Sequence, residues 1–165
     1  MYCYNLTFEL NNMNINFFMK MALKQAQKAL LLNEVPIGAI LVDNNTNKII
    51  DFAHNLVEST QNATAHAEII LINKANNKIK KKFLHETSIF VTLEPCAMCA
   101  ALIANARIRR IYFAASDPKS GGIQQGARIF DRKQTHHVPE IYSGIGEEKA
   151  AKLLRNFFSK KRLKA

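Results

Sequence analysis

The chain has 165 residues, 48% of them hydrophobic and 22% charged, with a formal net charge of +10. That length predicts one domain whose core is large enough to fold without disulfide staples, and the three cysteines, one at position 3, spell no disulfide framework and fit a reducing, cytoplasmic setting. No apolar run approaches the roughly 20 residues a membrane span needs, and MYCYNLTFEL lacks the basic start of a signal peptide.

Residues 1–14 read as a polar, Asn-rich extension, and residues 15–165 as the domain itself. From Ile15 to Leu32 apolar residues recur at helical spacing (Phe18, Met21, Ala22, Ala26, Ala29, Leu30), with lysines on the other face. After Asn33 and Pro36 the run IGAILV, the turn cluster Asp43–Asn47 and KIIDFA predict a β-hairpin. A second helix is expected from Thr64 through IILINKA into the basic tract Lys78–Lys82. Ser88–Leu93 reads as a buried strand, Ala97–Ala106 as a helix, Ile108–Ala114 as a strand, and SDPKSGG as a loop. Val138–Tyr142 is a weaker strand, and Glu147–Lys161 is a closing amphipathic helix with acids at its start and bases at its end, as the helix dipole favours. Strands alternating with helices predict one α/β domain: a largely parallel sheet covered on both faces, with the early hairpin antiparallel.

Two of the three cysteines sit in Glu94-Pro95-Cys96-Ala97-Met98-Cys99, where a strand turns into a helix. A lone C-x-x-C fits a metal clamp, a redox pair or two small core side chains. At spacing i, i+3 both sulfurs share one helical face, and a helix start stabilises thiolate, but a redox pair has the same placement. Thirty residues upstream, His66-Ala67-Glu68 also begins a helix after a strand region. Strand-to-helix corners gather on one edge of a parallel sheet, so one imidazole and two thiolates can meet one ion there. That donor set suits zinc, and three protein ligands leave a fourth position for water, as in catalytic sites. Glu68 is then placed to act as the base. A structural site completed by His54, His85, His136 or His137 is the competing metal reading.

H-x-E followed by P-C-x-x-C is the signature of zinc-dependent nucleobase deaminases. With NEVPIGAILV (33–42), HN (54–55), TAHAEI (64–69), VTLEPCAMCA (91–100), the D-x-K-x-G of Asp117–Gly121 and NFF (156–158), the chain resembles the bacterial tRNA adenosine deaminases. The resemblance covers about residues 16–162. It implies a three-layer α-β-α, cytidine-deaminase-like fold with a five-stranded mixed sheet. It implies one Zn2+ per subunit on His66, Cys96 and Cys99, with Glu68 as proton shuttle between water, adenine N1 and the departing ammonia, and no organic cofactor. Asn55 would hydrogen-bond the purine edge, Val35 and Pro36 would line the base pocket, Asp117 would lie near the ribose, and Phe158 near flipped-out anticodon nucleotides. The implied reaction converts the wobble adenosine of a tRNA, by family analogy an arginine tRNA, to inosine on a homodimer. Departures are His54, where family members often carry Trp, and Thr135–Glu140, which lacks the Arg usual in that loop.

The charge agrees with such a partner. Residues 83–165 carry 14 basic and 7 acidic groups, against 9 and 6 in residues 1–82. Loop RNA is held by basic side chains and aromatic stacking, and FFSKKR near the C-terminus offers both. The competing functions are a small-molecule deaminase acting on guanine, cytosine or a nucleotide, and a non-catalytic zinc-stabilised RNA-binding module. The basic aromatic tail separates the first from these deaminases. Glu68, a base that a structural site does not need, separates the second from them.

Overall fold

A computed structural model describes residues 13–163. Most of the polar extension, with Cys3, lies outside the described residues. Five helices, α1 (Ile15–Leu31), α2 (Val57–Thr60), α3 (Ala67–Ile79), α4 (Ala97–Asn105) and α5 (Glu147–Arg162), surround five strands. The strands are β1 (Gly38–Asp43), β2 (Ile49–His54), β3 (Thr87–Leu93), β4 (Arg110–Ala115) and β5 (Glu140–Ser143), with a 3-10 turn at Ile129–Asp131. Asn14 starts α1 by accepting the Phe17 amide at 3.0 Å, and Met13 packs on the core just before it. The helix ends at Leu31, one residue before its expected end, with Asn33 in the left-handed region.

The sheet order is β2-β1-β3-β4-β5. β3, β4 and β5 are parallel, but β1 is antiparallel to both β2 and β3, so the hairpin is not the sheet's only antiparallel pairing. The physical reason is the crossover: after β2 the chain passes through α3 and re-enters on the far side of β1, running the same way as β2. Four strands therefore point one way and β1 alone runs back. The ends of β2, β3 and β4 and the beginning of β1 all meet at one edge of the sheet. That edge carries the site.

Side chains alternate across the sheet with period two. Ala39, Leu41, Ile89, Val91, Ile111 and Phe113 face α3 and α4, where they meet Leu71, Ile72, Ala100 and Ile103. Ile40, Val42, Phe90, Tyr112 and Ala114 face α1 and α5, where they meet Phe18, Met19, Ala22 and Ala150. On that face Phe18, Phe90, Tyr112 and Tyr142 form a row, with Phe90 and Tyr112 stacked at 4.4 Å and Tyr112 and Tyr142 at 4.7 Å. The result is three layers, helices over both faces of a mixed five-stranded sheet. Among the described residues no helix is long and apolar enough to cross a membrane.

Candidate metal centre

His66 and Cys96 are the residues immediately before the first turns of α3 and α4, both in extended backbone conformation. Each ends a segment that leaves the shared sheet edge, and each directs its side chain toward the other. His66 Nδ1 lies 3.7 Å from Cys96 Sγ and 3.5 Å from Cys99 Sγ, and the three donor atoms all fall within 4.8 Å of one another. A tetrahedral ion at Zn–S and Zn–N distances of about 2.3 and 2.0 Å needs its ligands roughly 3.6 Å apart. The spacing fits one metal ion without rearrangement. Among the described residues no other histidine joins the group, so the structural site with a fourth histidine is not built.

The electrostatics of the two thiols point the same way. The Cys99 thiol hydrogen-bonds Cys96, which brings Cys96 down to about 4, while the same bond and burial push Cys99 far up. The pair holds one proton between two sulfurs, against His66, whose own pKa is raised chiefly by its bond to Cys96. A divalent cation can take the place of the shared proton. Glu68 sits beside this cluster, 3% exposed, and interacts with the Cys99 thiol. Burial raises its carboxyl above the ordinary range despite the opposing field of His66. A carboxyl held this way next to a metal-ligand set can accept and return protons.

Val35, Pro36, Asn55 and Asp117 reach the same edge by different routes. Val35 and Pro36 lie on the loop into β1, half-buried and buried, at the edge because β1 runs against its neighbours. Asn55 follows β2, is 3% exposed, and donates its backbone amide to Ile37 O at 3.0 Å. The next residue, Leu56, donates to the carbonyl of Ala65, so Asn55 and His66 flank one bond. Asp117 follows β4 and is half-buried; its Oδ1 accepts the amides of Lys119 and Ser120 in a tight turn. Phe158 stands 47% exposed near the end of α5, edge-on to the buried Phe157, and outside this hydrogen-bonded set.

Two buried carboxylates escaped the sequence reading. Glu34, 0% exposed, accepts from the Ser59 amide and hydroxyl (2.6 and 2.7 Å), the Glu58 amide (3.2 Å) and Asn55 Nδ2 (3.0 Å). Burial alone would raise its carboxyl, yet these bonds together hold it below the ordinary value. Glu94 accepts the amides of Asp117, Ile123, Gln124 and Gln125 at 2.8–3.1 Å, tying the 117–125 loop to the Pro95-Cys96 turn. Gly122 completes the join by donating to Pro95 O at 2.8 Å. Each glutamate directly precedes a segment expected at the site, Val35-Pro36 or Pro95-Cys96. That adjacency was the available signal, because the donors lie 21–31 residues away.

Residues 13–162 match the MafB19-like deaminase family. The chain is 50% identical over 142 residues to a tRNA-specific adenosine deaminase of Rickettsia bellii, covering 86% of this chain and 98% of that protein. A structure solved in studies of A-to-I editing by tRNA:A34 deaminases at the wobble position of transfer RNA superposes with a TM-score of 0.81. It is 43% identical, with 84% of this chain and 99% of that one covered. A guanine deaminase from Nitrosomonas europaea superposes with a TM-score of 0.75 over 88% of this chain and 85% of its own, but at 18% identity it shares the fold alone. Fold therefore does not separate purine-acting relatives, whereas identity of 43–50% over nearly the whole of each relative does. The chain belongs to the tRNA-specific adenosine deaminase family.

Proposed function

We propose that residues 15–165 form a zinc-dependent deaminase domain that converts the wobble adenosine of a tRNA anticodon to inosine, releasing ammonia. The reading extends to an arginine tRNA as substrate, a cytoplasmic homodimer as the working form, and zinc as the sole cofactor. The observation that carries it is Glu68: a buried carboxyl with a raised pKa beside a three-donor metal set that is complete without it.

His66, Cys96 and Cys99 would hold the metal. When bound, zinc supplies Lewis acidity that makes water a nucleophile near neutral pH. Glu68 takes a proton from the attacking water and passes it to adenine N1 as the C6–O bond forms. It then takes the proton of the new C6 hydroxyl and gives it to the amino group as the C6–N bond breaks and the C6 carbonyl forms, so one side chain serves both halves of the reaction. Asn55 hydrogen-bonds the purine edge, Val35 and Pro36 line the base pocket, and Asp117 lies near the ribose. Phe158, exposed and followed by Lys160, Lys161 and Arg162, offers a stacking surface and positive charge to nucleotides splayed out of the loop.

The test separates chemistry from scaffolding. Glu68→Ala and Glu68→Gln are expected to keep metal content and tRNA affinity while inosine formation falls. The loss is roughly 10²–10⁴-fold, at the upper end because two proton transfers are affected. Near wild-type turnover in either variant contradicts the assignment.

A further inference from the structure

Asn55 can read a purine edge only if its amide has a defined orientation, because one end accepts and the other donates. The backbone around it is pinned: its own amide bonds Ile37 O and the next amide bonds Ala65 O. Its side chain has one protein partner in the site, Glu34 Oε2, to which Nδ2 donates at 3.0 Å. An ionised carboxylate accepts and never donates, so turning the amide over would set Oδ1 against Oε2. Glu34 in turn cannot move away: it is 0% exposed, and its oxygens are held by the Ser59 amide and hydroxyl and by the Glu58 amide. Asn55 Oδ1 takes no protein donor among the described residues and is not one of the buried atoms left without a partner, so it keeps its capacity to accept from a ligand.

We propose that Glu34 is a positioning residue for base recognition, fixing which end of the Asn55 amide faces the substrate. This rests on the reading that Asn55 meets the purine. Glu34 itself touches no reacting atom. Its effect on turnover passes through Asn55, whereas a merely structural carboxylate that caps α2 would act independently of Asn55.

A double-mutant cycle distinguishes the two. Measured as kcat/KM on an anticodon stem-loop carrying the wobble adenosine, Glu34→Gln and Asn55→Ala are each expected to lower the value roughly 10- to 100-fold. The double variant should be no worse than Asn55→Ala alone, because the residue that Glu34 orients is gone. Ser59→Ala removes a hydrogen bond from the same carboxylate without touching Asn55, and should lower the melting temperature while changing kcat/KM less than about twofold. If Glu34→Gln does not fold, Glu34→Asp, which keeps the charge but withdraws it by one methylene, takes its place. A double variant whose loss is the product of the two single losses overturns the proposal. If Asn55→Ala alone leaves kcat/KM unchanged, the assignment of Asn55 to the purine falls, and the proposal with it.

Discussion

Three buried carboxylates at one sheet edge have two different fates, and the number of hydrogen-bond donors decides which. Glu34 and Glu94 each accept four hydrogen bonds, from backbone amides and from Asn55 and Ser59 side chains, and hold loops in place. Glu68 has no such set, and burial raises its pKa above the ordinary carboxylate value. For Glu34 the balance runs the other way and gives a pH dependence. Its pKa is lowered on folding, so the folded chain binds fewer protons than the unfolded chain in the window between the two values. The stabilisation is therefore full above the unfolded value of about 4.3 and fades as pH falls through the depressed folded value. Glu34→Gln cannot titrate. Its melting temperature should lie below wild type at pH 6, by the equivalent of about 1–3 kcal/mol, and the gap should narrow toward pH 3. Thermal melts across that range check it; a gap that stays constant would mean the carboxylate is not ionised in the folded chain.

At the scale of elements, the metal set depends on how closely the 117–125 loop approaches the start of α4. A Cβ on Gly122 would lie 2.5 Å from Ala97 N and 2.6 Å from both Ala97 Cα and the Cys96 carbonyl carbon. All three are backbone atoms, so the turn carrying Cys96 must shift. Gly122→Ala is expected to cost about 1–3 kcal/mol of stability and to lower metal content per chain. Gly144→Ala is the control: φ is +84°, so it strains the backbone, but its Cβ meets nothing closer than 3.9 Å. It should destabilise with metal content unchanged; equal metal loss in both variants would contradict the account.

These elements also show what the sequence could and could not disclose. The amphipathic period of α1, the apolar runs of β1 and β3, and the acid-to-base gradient of α5 are local properties, and they located those elements within a few residues. The grouping of His66, Cys96 and Cys99 was legible because helix starts and short spacings bring those three donors to one point. α2 was not, being four residues long and anchored to Glu34 rather than by any pattern of its own. Nor was the position of β1 between β2 and β3, which depends on where the chain re-enters the sheet after α3. The second helix begins at Ala67 rather than Thr64, because His66 must stay extended to face the cysteines.

At the scale of the molecule, one reversed strand and two helix starts bring chemistry from four parts of the chain to a single edge. Most of the positive excess lies in the C-terminal half, ending in Phe158 and the basic end of α5, which suits a polyanion better than a free base. The fold is shared with a guanine deaminase, so architecture leaves the substrate open and the partner must be tested directly. The decisive measurement is to incubate the purified protein with total tRNA, and separately with free guanine and cytosine, and to quantify inosine and ammonia in each. The account predicts inosine at the wobble position of a tRNA, with one ammonia released per inosine, and no ammonia from the free bases. Ammonia from guanine or cytosine with no inosine in tRNA would contradict it.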